Sequence, residues 1–253
     1  VKKKSLFILI LLTPFLFWLT HVFAYFIHEY SHSFSAWIFG FKHNPFDLTY
    51  GDSSWGNILS LYQVSENVEF DSFSAQHPWI AALTAFAGFG VGNVTLLIIS
   101  LCALQTKNNH SYVYYYFFFW LIVMNLGNFI DYVPARTLAT HGDMQEIVSF
   151  LNISPWWLMT VLGYPICYSF WYFYSETLPY IYVRLQANTF FQAMLLMLST
   201  LTMFGIFGAA GMRDYGPESH LIALLSWYIT PIIIIACWPT RDWVREKIFF
   251  MKS

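Results

Sequence analysis

Charge is what this sequence has least of. Of 253 residues only 10% are Asp, Glu, Lys or Arg, where soluble globular domains carry roughly 25%. With 57% hydrophobic and 21% aromatic residues, that deficit excludes an ordinary soluble domain and puts the chain in a bilayer. A basic excess is missing too. Twelve Lys and Arg against fourteen Asp and Glu give a net charge of -2, so no positive field exists to hold nucleic acid. Cysteine is scarce: Cys102, Cys167 and Cys237 all lie in apolar runs with no CxxC spacing, which excludes a disulfide framework and a thiolate metal site. The sequence also lacks polar low-complexity tracts and internal repeats, which speaks against disordered arms and against an inverted-repeat transporter.

What is present are long apolar runs. About 20 apolar residues carry a helix across ~30 Å of hydrocarbon, and parsing by length predicts six spans, at about 5–27, 78–104, 112–130, 156–178, 189–211 and 220–238. The expected fold is therefore an all-α polytopic membrane protein forming one integral membrane domain. The first run follows Lys2, Lys3 and Lys4 but outlasts a signal-peptide core of ~7–15 residues and ends in no A-x-A site, so it is expected to be a retained span. Cytoplasmic loops collect Lys and Arg. With the N-terminus inside, that side carries Lys2, Lys3, Lys4, Lys107, Arg184, Arg241, Arg245, Lys247 and Lys252, and the other side only Lys42, Arg136 and Arg213. Both termini are thus expected in the cytoplasm. Val1 in place of Met fits a literally translated alternative start codon, which points to a bacterial inner membrane. The stretch 42–77 is the one sizeable extramembrane piece. Turn residues there separate short aromatic and β-branched runs at 46–50 and 58–64, which read as one or two β-hairpins at the membrane surface or, as readily, as an irregular loop. Their edge would suit an extended peptide added as a further strand.

The stretch that carries chemistry is His28-Glu29-Tyr30-Ser31-His32, at the end of the first run. Spacing of i, i+4 puts both imidazoles on one helix face, where both reach a single zinc at ~2.0–2.1 Å. Glu29 lies about 100° round the helix, beside the ion, in the position of a general base toward a water. The alternative is a helix end whose polar residues simply meet interfacial water. His21 sits two turns earlier, ~10.5 Å away, too far for the same ion.

A zinc held by two His needs a third protein ligand. The polar cluster that lies at matching depth follows the third span: Asn125, Asn128, Asp131, Tyr132, Pro134, Arg136, His141, Gly142 and Asp143. Asp143 is the preferred ligand, because Gly142 lets the chain turn and 143–148 reads as the opening of a short helix. The alternative role for Asp143 there is a helix cap. Asp131 and His141 compete for the ligand role, and Asn125, Asn128 and Arg136 are candidate donors to a developing oxyanion or to substrate. The small residues Ala81, Ala85, Gly88 and Gly92, and Gly205, Gly208, Ala209 and Gly211, read as helix-packing faces only.

Taken together, His28-Glu29-Tyr30-Ser31-His32, the small-residue run at 85–93 and the cluster at 125–143 resemble the site-2 protease class of intramembrane zinc metalloproteases. The likeness covers roughly residues 20 to 145. It implies one zinc per chain, held by His28, His32 and a later aspartate, with Glu29 as general base. The implied reaction is peptide-bond hydrolysis of a membrane-protein or peptide substrate. The family's third ligand usually sits in an Asn-Pro...Asp-Gly element, whereas here Gly142 precedes Asp143. Two rival classes remain at this stage. One is a membrane di-iron hydroxylase, which draws on more His groups than this one pair. The other is a metal-free helix-binding or transporter-like protein.

Overall fold

In the computed structural model, which describes residues 3–106, 111–212 and 215–252, helix α1 runs unbroken over Lys3–Ile38. At 1.5 Å per residue it is about 54 Å long, well beyond one hydrocarbon thickness. The His28 to His32 stretch therefore lies inside a continuing helix, not at the end of one closing near residue 27. Short α2 (Trp55–Ser60) follows, then α3 (Pro78–Phe86), α4 (Val94–Gln105), α5 (Tyr112–Ile130) and α6 (Asp143–Leu151). The second half holds α7 (Pro155–Tyr172), α8 (Leu178–Arg184), α9 (Thr189–Thr200), α10 (Pro217–Ala236) and α11 (Asp242–Lys252). Helices α2, α5 and α9 start at Ser54, Ser111 and Asn188, whose side chains accept from the backbone N–H three residues on, as N-cap residues do.

Among the described residues four π-helical segments interrupt the long helices: π1 (Ala87–Asn93), π2 (Asp131–Ala135), π3 (Phe173–Thr177) and π4 (Leu201–Phe207). Pro134, inside π2, has no N–H to give the ladder, which accounts for the break there. Helix α5 is the shaft of the bundle. Trp120, Tyr116 and Phe119 on it are fully buried, and it packs against α1, α4, π4, α7 and α8. As the least apolar of the stretches able to cross a membrane, it is sheltered from lipid by these neighbours. Gly127 lets π4 come close, since a Cβ there would overlap the Phe207 ring.

Among the described residues five helical stretches are long and apolar enough to cross a membrane: Leu6–Ile38, Pro78–Gln105, Tyr112–Ala135, Thr189–Met212 and Pro217–Ala236. The expected span at 156–178 is helical, and α7, π3 and α8 run on continuously from Pro155 to Arg184. It is not among the five because Trp156, Trp157, Tyr164, Pro165, Tyr168 and Trp171 dilute its aliphatic content. Lys2, Lys107 and Arg213, three of the charges behind the expected orientation, lie outside the described residues.

The expected hairpins at 42–77 do not form. Among the described residues there is no strand, only one antiparallel bridge between Thr49 and Ser65. Side chains take the backbone groups that a ladder would use: Asn57 Nδ2 donates to the carbonyls of Tyr50 (2.8 Å) and Asp52 (2.7 Å), and Asn57 Oδ1 accepts from Gln63 N (3.0 Å). Ser54 opens helix α2 where half of a hairpin was expected. A strand-addition edge is therefore absent from this segment. Beyond the last expected span, the chain after Pro239 carries α11. It packs on α8 through buried Val244 and pairs Lys247 with Glu176.

Candidate metal centre

His28 and His32, one turn apart on α1, bring their Nε2 atoms to 3.0 Å. Asp143 Oδ2 lies 3.1 Å from each. A tetrahedral zinc with bonds near 2.05 Å separates its ligand atoms by about 3.3 Å, so the three atoms outline one face of such a polyhedron. This is the one His/Cys/Asp/Glu group of its kind among the described residues. Asp143 is the first residue of α6, and Gly142 takes the cap position with φ of 99°, a conformation that suits glycine. The Asp143 carboxylate is thus spent on the imidazoles and makes no capping bond.

Whether a cation fits depends on where the imidazole protons sit, and the hydrogen bonds behind the rings fix them. His32 Nδ1 lies 2.7 Å from the Thr84 carbonyl, which can only accept, so Nδ1 carries the proton. For His28 the chain of donors begins at the Leu121 carbonyl, which accepts from Asn125 Nδ2 at 2.7 Å. Asn125 Oδ1 then accepts from Asn93 Nδ2 (3.1 Å), which leaves Asn93 Oδ1 to accept from His28 Nδ1 at 2.7 Å. When neutral, both rings therefore aim an Nε2 lone pair at the Asp143 carboxylate. Three electron-rich atoms crowded at 3.0 to 3.1 Å fit a shared cation. The Nδ1 bonds are the supports that metal-binding histidines characteristically make.

Segment π1 closes the site from the other side. At Gly88 a Cβ would overlap His32 Nε2 and the His28 ring, so only glycine lets this segment cover both imidazoles. At Gly92 a Cβ would come within 2.9 Å of the Ile27 carbonyl and 2.7 Å of Ser31 Oγ, which marks how closely π1 lies on α1. The face read as packing alone is thus also the wall of the site. Glu29 is buried, 6% exposed, and the Glu66 carboxyl lies within hydrogen-bonding reach of it. Glu66 arrives there because Lys42 Nζ gathers the carbonyls of Asp47, Glu66 and Asn67, fastening the 42–67 stretch over this part of α1.

The other expected residues are placed elsewhere. Asp131 forms a two-pronged pair with Arg136 (Nε to Oδ1 2.9 Å, Nη2 to Oδ2 2.8 Å) and stays out of the ligand group. His141 stacks on Tyr215 at 4.5 Å and also stays out. Asn125 stands behind Asn93 and His28, its amide engaged by Asn93 and the Leu121 carbonyl. The Arg136 guanidinium lies over the Tyr132 and Tyr215 rings at 4.9 and 5.0 Å. Asn128 lines a cavity of about 580 Å³ that reaches His28 and Tyr132. His21 faces the same cavity and meets the Ser60 carbonyl at 3.2 Å. Asn93, Thr84 and Tyr132 are contributors to which sequence reasoning gives no role, and Gly88 one that it reads as packing only. Of these only Asn93 carries a sequence signal, an amide in an apolar run where polar groups are costly. Compared with protein-family models, with curated proteins and with solved structures, the chain matches none.

Proposed function

We propose that this chain is a membrane-embedded zinc metallopeptidase with His28, His32 and Asp143 as the metal ligands and Glu29 as the general base. The observation that carries the reading is the triangle of two Nε2 atoms and one carboxylate oxygen at 3.0 to 3.1 Å, with both Nδ1 protons tied off behind it. A single group of this kind among the described residues favours one ion over a two-iron centre. When bound, the ion supplies Lewis acidity, polarising a carbonyl and easing loss of a proton from water. The protein's own residues do the rest. Glu29 lies next to His28 in sequence and away from bulk water, where it can take a proton from the attacking water and later pass it to the departing amine. Asn93 and Thr84 keep the rings in register. The cavity beside His28 and Tyr132 receives a peptide segment that has left helical form, since a helix shields its own peptide bonds.

In this reading α7 to α8 makes a sixth crossing, both termini face the cytoplasm, and the host membrane is a bacterial inner membrane. The Pro155 to Arg184 helix is long enough for that crossing, at about 45 Å. The deciding experiment is metal analysis of purified protein beside a cleavage assay. Wild type should hold one zinc. Glu29→Gln should keep the zinc and lose about 10²–10⁴-fold in rate, and His32→Ala should lose the zinc itself. Zinc retained at full stoichiometry after His32→Ala would contradict the ligand assignment.

A further inference from the structure

One side chain at the centre has no task in the reading above. The Tyr132 hydroxyl lies 2.9 Å from His28 Nε2, its ring 4.7 Å from the imidazole, and the residue is 9% exposed. The relay from Leu121 through Asn125 and Asn93 puts the His28 proton on Nδ1, so Nε2 has a single lone pair. The Tyr132 hydroxyl stands within donating reach of that lone pair. An ion held by His28, His32 and Asp143 claims the same lone pair, and the hydroxyl then needs another acceptor. A buried donor beside a metal-sized space takes an oxygen that enters the space.

The cavity shows from which side that oxygen comes. Its lining includes His28 and Tyr132 together with Tyr25, Asn128 and Tyr215, so Tyr132 stands between the cavity and the ligand triangle. The ring is held firmly. The Arg136 guanidinium, fixed by Asp131, covers it at 4.9 Å, and Phe89 packs at 6.2 Å. Asn125 is engaged behind His28, and Arg136 is clamped to Asp131. Neither is as close to the ligand atoms as Tyr132 is.

We propose that Tyr132 is a catalytic residue of this centre, its hydroxyl donating a hydrogen bond to the scissile carbonyl oxygen as negative charge gathers there. The assignment rests on the peptidase reading. The water oxygen bonds to the carbonyl carbon, the π pair moves onto the oxygen facing Tyr132, and the water proton goes to Glu29. Collapse re-forms the carbonyl and breaks the C–N bond, and the Glu29 proton leaves with the amine. Tyr132 keeps its own proton throughout. A donor placed for the tetrahedral oxygen and not for the flat substrate raises turnover more than binding.

The test compares the full zinc-loaded chain with Tyr132→Phe in three ways. Zinc is counted per chain. Calorimetry gives the affinity for a phosphinic peptide, whose tetrahedral oxyanion mimics the intermediate, and for the matching ordinary peptide in a Glu29→Gln background. Cleavage then gives kcat and KM. Tyr132→Phe should keep one zinc, hold ordinary peptide within about twofold, and weaken the phosphinic peptide about 10²–10³-fold, with kcat falling in parallel and KM steady. Tyr132→His, which retains a donor, should recover part of the loss. Equal weakening of both peptides, or an unchanged phosphinic affinity, would overturn the proposal. So would zinc loss in Tyr132→Phe, which would make Tyr132 a positioning residue for His28. Wild type that holds zinc yet neither binds the phosphinic peptide nor cleaves removes the peptidase reading and this one with it. Wild type that does both and is matched by Tyr132→Phe removes only this one.

Discussion

Asn93 sets which nitrogen of His28 faces the ligand triangle, although it lies on a different helix and touches no metal position. Replacing it with Ala leaves the Nδ1 proton without an acceptor and the ring free to turn, so zinc affinity should fall about 10–100-fold, measurable by competition with a chromophoric chelator. Gly88→Ala should be harsher, because its methyl group would overlap both imidazoles. Gly163→Ala, with nothing within 4 Å of the added carbon, is the neutral control. At this scale the sequence is readable only where chemistry and spacing lie within one helix. The i, i+4 interval of His28 and His32 is such a case. The contributions of Asn93, Gly88 and Tyr132 exist only once π1 and π2 have been laid across α1, and no interval along the chain encodes that.

At the scale of elements, α6 brings two acids to the centre, Asp143 and, one turn on, Glu146. Burial first, then the negative charges of Asp143 and Glu66, push the Glu146 carboxyl up to about 7 from its ordinary 4.5. An acid whose pKa is raised on folding favours the folded state while protonated. The metal-free protein should therefore be most stable below about pH 4.5 as far as this group is concerned, and lose that contribution as pH rises toward 7. Glu146→Gln should flatten the profile in that window, read from thermal midpoints in detergent. An unchanged slope would show that another group sets it. The short helix beginning at Asp143 is foreseeable from Gly142 and the acidic first turn. The hairpins are a misreading with a definite cause, since Asn57 and Ser54 compete for backbone groups that β-propensity arguments assign to a ladder.

For the whole molecule, apolar length makes most of the architecture legible: five of the six expected spans reappear as helices able to cross. The exception is α7, whose tryptophans and tyrosines suit an interface as well as a span. Its path decides the topology, because five crossings put the termini on opposite sides and six put them together. Reporter fusions at both ends should give cytoplasmic signals from each. Opposite signals would return α7 to the membrane surface.

Helix α5 has a consequence for how the chain is made. Of the five crossing helices it is the least apolar and the most enclosed, so lipid alone is a poor host for it. Its stable place exists only when α1 and α4 already stand beside it, and both precede it in the order of synthesis. The ribosome thus delivers the walls before the pillar. A truncated product that stops short of α9 to α11 would keep the α1 and α4 walls of the shaft and lose its π4 side, whereas loss of the N-terminal helix would leave that shaft stranded at the insertion machinery.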